Sequence, residues 1–553
     1  CRALKKVDQA EEAFKSAIAV LEKLRGQLVG NEREQQFFFE NKTVPYVELV
    51  ELLLAQNKTA EAFRYAELAK GRMLLDVLRN GRSDITQTMT DKERAQEKEL
   101  TAAMNSLGAQ LRKESSLAKP DKARLASLAT QLQTARLASE GYETLIYAAH
   151  PELKIKRGNL EPITVDEVAQ LIRDSQSALL EYVVASQKTY LFVLTKKDGE
   201  ASGIDIKVYP IAIGAEELTA RVVEFRRGLA GNSLNFKLPA RQLYDLLLGP
   251  AQKELEGKTV LGIVPSGELW ELPFQTLLSQ QDRYVLQDHA LLYAPSLSVL
   301  RAMRENNTNR GRRDYAGVDS GGVSVVKVGA AAASTAPSLL ALGNPNLSSS
   351  LVSRAGSNER GLSFGELPDA EREVKALGEI YGTQNSTILT GAAAREEIFK
   401  ADAWRYPVLH FATHGLLDDT NPLYSRLLLA NSSAAEDGLL EAREIMKLSL
   451  NADLVVLSAC QTARGGIGAG EGLIGMSWAF FIAGTSTTVV SQWKVDSAST
   501  SRLMVEFHRN LHNRENPVSK AEALRQAALK LMADPKYRHP FYWSGFVVVG
   551  DGQ

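Results

Sequence analysis

Two stretches decide how this chain is read: Val408-Leu409-His410-Phe411-Ala412-Thr413-His414-Gly415, and Asp453-Leu454-Val455-Val456-Leu457-Ser458-Ala459-Cys460-Gln461-Thr462. Each is a short apolar run with little polar alternation, as expected of a strand buried on both faces of a parallel sheet. Each delivers a reactive side chain just past its end. Gly415 follows His414, and the loop from Ala463 to Glu471 after Cys460 carries Gly465, Gly466, Gly468 and Gly470. Strands of a parallel sheet end on one edge, so His414 and Cys460 can meet although they are distant in sequence.

That pairing is a nucleophile with its base. A free thiol has a pKa of about 8.5 and is only a few per cent ionised at neutral pH, so a neighbouring imidazole activates it. Gly415 lets a backbone N–H approach a substrate carbonyl. Together with the N–H of Cys460 it forms a candidate oxyanion hole, worth about 3 kcal/mol per donor in the transition state. By strand alternation His410 shares a face with Ala412 and His414 and competes for the base role. The glycine after His414 favours the latter, and His410 is read as structural.

Outward from these strands the α/β rhythm continues. Strands are expected at 178–184, 189–194, 204–209, 259–264, 387–389, 488–491 and 546–549, and helices at 215–230, 240–248, 369–381, 394–401, 442–448, 472–482, 498–511 and 519–532. Alternation of this kind predicts a mostly parallel sheet flanked by helices, with its site beyond the carboxyl ends of the strands. Residues 306–337 and 348–361 are rich in Gly, Ala, Ser and Asn and are expected to be mobile loops.

The front of the chain is helical. Glu12-Ala13-Phe14 with Ala17 recurs as Glu61-Ala62-Phe63 with Ala66, small beside bulky in each helix, which resembles tetratricopeptide repeats over residues 1–85. Residues 86–158 are rich in Glu, Lys, Gln, Ala and Leu and break at Pro120-Asp121, predicting a long helical hairpin. The α/β domain takes residues 159–553.

The 553 residues carry 65 Lys plus Arg against 66 Asp plus Glu, a net charge of -1 that argues against nucleic acid as a partner. Two cysteines, Cys1 and Cys460, make no disulfide framework and suit a reducing, cytoplasmic location. No apolar run approaches the ~20 residues of a membrane span. The chain starts at Cys1 in helical sequence without Met and is read as part of something longer, ahead of the alternative that Cys1 is a lipoprotein anchor. The glycines after Cys460 miss the G-x-G-x-x-G register and no G-K-[ST] is present, so nucleotide binding is disfavoured, and no His or Cys spacing suggests zinc.

From about 165 to 551 the chain resembles the CHAT domain, a caspase- and separase-like peptidase domain often joined to tetratricopeptide repeats. The matching stretches include Ile263-Val264-Pro265-Ser266-Gly267, Leu272-Pro273-Phe274, Asp288-His289-Ala290 and Tyr293-Ala294-Pro295-Ser296. Others are Ala341-Leu342-Gly343-Asn344-Pro345, Leu367-Pro368-Asp369-Ala370-Glu371, His410 through Gly415, Ser458 through Thr462, Gly470-Glu471-Gly472, Trp493-Lys494-Val495-Asp496 and His539-Pro540 with Tyr542-Trp543. The resemblance implies a caspase-like α/β fold in two halves, a pseudo-caspase half supporting an active one. It also implies a bacterial-type cysteine endopeptidase without cofactor or metal, with His414 as base and Cys460 as nucleophile. Asp496 and Glu471 are candidates for receiving a basic substrate side chain, although either equally suits a helix cap or a surface ion pair. His289 and His539 are read as satisfied polar residues. A protein substrate, and an activating protein held by the helical repeats, are the expected partners. The alternative is a catalytically silent or latent scaffold that works by binding.

Overall fold

The computed structural model describes residues 6–27, 42–71, 74, 75, 78, 90–115, 121–149, 161–197, 203–310, 338–347, 365–418, 422–430, 436–459, 466–468 and 472–553. Helices α1 (Val7–Gln27), α2 (Val44–Ala55) and α3 (Thr59–Leu68) open it. Ala62, Phe63 and Ala66 of the second Glu-Ala-Phe copy are buried, as are Ala10 and Ile18 of α1, so the small residues lie in the helix packing. The expected hairpin follows as α4 (Asp91–Ser115) and α5 (Lys122–Ala149), whose first turn is capped by Asp121 Oδ1 accepting from Ala123 N at 2.8 Å.

One sheet of 11 strands organises the rest, in the order β3-β2-β1-β4-β5-β16-β15-β12-β8-β6-β7. Its strands are β1 (Ser177–Val184), β2 (Thr189–Lys196), β3 (Ile204–Ile211), β4 (Val260–Val264), β5 (Ala290–Tyr293), β6 (Leu339–Pro345), β7 (Ser386–Gly391), β8 (Val408–Ala412), β12 (Leu454–Leu457), β15 (Thr487–Ser491) and β16 (Phe546–Gly550). The short β9 (Gly415–Leu416), β10 (Arg426–Leu428) and β11 (Leu439–Glu441) form a separate sheet, and β13 (Gly466–Gly468) pairs with β14 (Gly472–Ile474). Longer helices cover the faces: α6 (Ala215–Ala230), α7 (Lys237–Leu247), α8 (Leu297–Arg310), α9 (Pro368–Tyr381), α10 (Met476–Ala483), α11 (Ser497–Leu511) and α12 (Lys520–Met532).

The last strand joins two halves. β16 runs parallel to β5 and antiparallel to β15, so the parallel set β1-β4-β5 points opposite to the parallel set β15-β12-β8-β6-β7. The carboxyl ends of β8 and β12 therefore leave the sheet on the other edge from those of β4 and β5. On the β8 side α9 lies very close to β6: a Cβ on Gly343 would meet Val374 at 2.6 Å and the Ala370 carbonyl at 3.0 Å.

Two expectations change. Residues 472–474 are not the start of a helix but the return strand of a hairpin, Gly466 pairing with Ile474 and Gly468 with Gly472, and the helix begins at Met476. Glycine costs about 1 kcal/mol per residue in a helix, whereas a hairpin tolerates it at the turn. Residues 306–310 continue α8, while 311–337 and 348–361, the rest of the expected loops, lie outside the described residues.

The helical region is tied to the sheet by buried polar groups. Glu67 of α3 accepts from Leu297 N and Ser298 N at 2.8 Å and from Ser298 Oγ at 2.6 Å, capping α8 from another element. Lys70 Nζ donates to Glu181 Oε1 at 3.0 Å and to the Tyr182 carbonyl at 2.7 Å. At the other end Arg136 of α5 lies 4.3 Å above the Tyr424 ring and 3.7 Å from Glu441, beside the small β9-β10-β11 sheet. Arg136→Ala is expected to weaken this docking by about 1–2 kcal/mol, seen as faster amide exchange in residues 122–149 with protection of the large sheet unchanged.

Candidate active site

β8 and β12 are adjacent and parallel, with His410 opposite Val456 and Phe411 opposite Leu457, and Leu457 is in turn opposite Val490 of β15. Equal numbers of steps lead from Phe411 to His414 and from Leu457 to Cys460. Cys460 and Glu471 lie outside the described residues, as does Cys1. The residue before Cys460 is described: Ala459 is buried, and its carbonyl accepts from Ser491 Oγ at 2.5 Å.

His414 is held from both sides. Thr413 Oγ1 donates to the Leu428 carbonyl, and Leu428 N donates to the His414 carbonyl at 2.9 Å, fixing the backbone against β10. Its Nε2 lies 3.0 Å from the Gly365 carbonyl, just ahead of α9. A carbonyl only accepts, so Nε2 carries the hydrogen, and in the neutral ring Nδ1 keeps the lone pair of a base. Burial lowers the His414 pKa below its ordinary 6.5; the nearby Lys494 ammonium lowers it further and the Gly365 carbonyl opposes both. The imidazole is therefore neutral at neutral pH and able to accept a proton.

Gly415 lies opposite Leu427 on β10. Because Leu428 N bonds the His414 carbonyl, Gly415 and Leu427 are a non-hydrogen-bonded pair of the ladder, and the Gly415 N–H points away from β10.

The other candidates have partners of their own. His410 is fully buried four residues before His414, with Nε2 2.8 Å from Glu373 Oε1 and Nδ1 3.1 Å from His508 Nε2. Asp496 caps α11, its Oδ1 accepting from Ser499 N at 2.9 Å, so the cap considered for it is the position it holds. His289 Nδ1 meets the Lys258 carbonyl at 2.8 Å and His539 Nε2 the Ser233 carbonyl at 2.9 Å. Away from the site, Glu396, Glu436 and Glu444 bring carboxylate oxygens within 4.8 Å of one another, around the Lys400 ammonium at 2.7, 2.6 and 3.1 Å. A lysine thus stands where a cation would. Two site features have little or no sequence signal: the Gly365 carbonyl, which any residue supplies, and the approach of Lys494 to His414.

The architecture defines a helical-repeat protein carrying a mostly parallel α/β domain, with a histidine just beyond one strand and a cysteine just beyond its neighbour in sequence. Residues 237–551 match the CHAT domain, more than half of the chain, and the protein belongs to that family. Human tetratricopeptide repeat protein 28 is 27% identical over 355 residues, which is 57% of this chain and 13% of that protein. Its mouse counterpart is 26% identical over the same length and shares, so the chain spans a small part of the curated relatives it matches. Among solved structures, the Saccharomyces cerevisiae separase–securin complex aligns with TM-score 0.45 and 9% identity, covering 98% of this chain and 48% of that one. The Arg-specific cysteine proteinase gingipain R aligns with TM-score 0.34 and 10% identity, covering 61% and 74%. Among the described residues no helix is long and apolar enough to cross a membrane.

Proposed function

We propose that this CHAT protein is a cysteine endopeptidase in which Cys460 is the nucleophile and His414 the base. The observation that carries this reading is the parallel pairing of β8 with β12, Phe411 opposite Leu457, together with an imidazole whose Nε2 is occupied by the Gly365 carbonyl. Nδ1 of His414 takes the thiol proton as sulfur attacks the scissile carbonyl. The resulting oxyanion is met by the N–H groups of Gly415 and Cys460. Collapse expels the amine, which receives the proton from Nδ1, and water then hydrolyses the thioester by the same base. For a basic substrate side chain the proposed receivers are Glu471 and Asp496, the latter through the oxygen its cap leaves over. The helical repeats are proposed to hold a partner or substrate protein.

Iodoacetamide separates this reading from a silent scaffold. An activated Cys460 is alkylated well ahead of Cys1, and equal slow labelling of both favours the scaffold. The pH dependence has a defined sign. Because the His414 pKa is lowered, the acid limb of kcat/KM is expected below pH 6.5, and Lys494→Gln is expected to move it upward by removing a neighbouring positive charge. A limb above 6.5 in the wild type contradicts the assignment of His414.

A further inference from the structure

Between the sheet and its two covering helices, an apolar layer that includes Leu339, Ala341, Val374 and Leu377 encloses four polar side chains in a row. Glu373 and Tyr381 come from α9, His410 from β8 and His508 from α11, and all four are buried. Glu373 Oε1 is 2.8 Å from His410 Nε2, His410 Nδ1 is 3.1 Å from His508 Nε2, and His508 Nδ1 is 3.0 Å from Tyr381 Oη. Burial, with His410 and His512 beside it, pushes His508 well below its ordinary value of 6.5, so it enters the row neutral, with one donor and one acceptor.

With neutral imidazoles every link is satisfied only if donation runs in one direction. Tyr381 donates to His508 Nδ1, His508 Nε2–H to His410 Nδ1, and His410 Nε2–H to the Glu373 carboxylate. The reverse order needs a carboxylic acid at Glu373 or a second proton on His410. Well-packed apolar side chains in such a layer are often as stable or more stable, so stability alone does not call for this row.

What the row joins is informative. β8 leads directly to His414, α9 follows directly on Gly365, and α11 follows directly on Trp493–Asp496. The three elements bonded in the core are those whose ends meet at the site, and Nε2 of His414 is oriented by a carbonyl that sits just ahead of α9.

We propose that Glu373, His410, His508 and Tyr381 are positioning residues for the Cys460–His414 pair, their one-way hydrogen-bond chain locking α9 and α11 against β8 so that the Gly365 carbonyl stays on His414. The proposal rests on the peptidase reading above. Neither His410 nor its partners touch the reacting atoms; they act through the placement of His414.

The test compares Glu373→Gln, which keeps an acceptor for His410, with Glu373→Leu, which removes it, and Tyr381→Phe, which deletes the donor at the far end. The readouts, taken well below the unfolding temperature of each purified variant, are the rate of Cys460 alkylation by iodoacetamide from pH 5 to 9 and kcat and KM on a cleaved peptide. Positioning predicts that Glu373→Leu lowers both Cys460 labelling at pH 7 and kcat by about tenfold or more and displaces the pH profile, with KM and the Glu373→Gln variant within about twofold of wild type. Tyr381→Phe is expected to shift the profile in the same direction, and it carries the test if Glu373→Leu does not fold. A folded Glu373→Leu or Tyr381→Phe chain with wild-type labelling rate and profile overturns the positioning role and leaves the peptidase reading standing. Wild-type Cys460 that reacts no faster than Cys1 overturns both.

Discussion

Cys460→Ala is expected to lower kcat/KM for peptide cleavage by about three orders of magnitude or more, because the sulfur that forms the thioester is removed. His414→Ala should cost nearly as much, and the double variant little more than either, since the two act as one unit and their effects do not add. The unfolding free energy of Cys460→Ala should stay within about 1 kcal/mol of wild type, the change being one sulfur atom at the exit of a strand. The assay is a peptide-library cleavage profile of the purified chain followed by steady-state kinetics on the best sequence. Wild-type rates in the alanine variant would remove Cys460 from the chemistry.

Glu67→Leu is expected to destabilise the chain by about 3–5 kcal/mol and to release the helical region from the sheet. The Glu67 carboxylate is fully buried and accepts three hydrogen bonds from Leu297 and Ser298 at the start of α8. Leucine keeps the bulk but leaves two backbone N–H groups and the Ser298 O–H without an acceptor. Ser298→Ala, which removes one of the three donors and also the acceptor of the buried Ile163 N–H, should cost about 1–3 kcal/mol. Urea unfolding measures both, and limited proteolysis of residues 42–71 reports the release. The same cluster gives a pH dependence: burial, with Glu67 close by, pushes Glu181 from 4.5 to about 8 despite Lys70. The folded chain therefore keeps a proton that the unfolded chain has lost, and this group's contribution to stability falls as pH rises from 4.5 through 8. Stability that rose across that window in the wild type, and rose equally in Glu181→Gln, would contradict the assignment.

The legible part of the fold was the part with period or composition behind it. The runs at 178–184, 189–194, 408–412 and 546–549 are strands because branched and aromatic side chains fit a buried pleat, and their bounds in the structure differ by a few residues at most. The helices at 215–230 and 369–381 follow from their apolar spacing. The return strand at 472–474 reads as the start of a helix because Leu473, Ile474 and Met476 look continuous with the apolar run behind them, and the pairing across Gly468 and Gly472 is visible only once both strands are in place. β9, β10 and β11 are too short for any period to declare them.

By itself, then, the sequence determined the classes of element, the pair of strands that end near a histidine and a cysteine, and membership of a family whose motifs run in order through the chain. These are local properties, written in side-chain type and spacing. Tertiary structure alone decided that β16 sets the two halves in opposite directions, that a carbonyl at Gly365 orients His414, and that His410 lies in a buried row with Glu373, His508 and Tyr381. Each of these joins groups remote along the chain, and the free energy of a hydrogen bond or a strand pair depends on where the partner lies in space, which spacing along one segment does not encode.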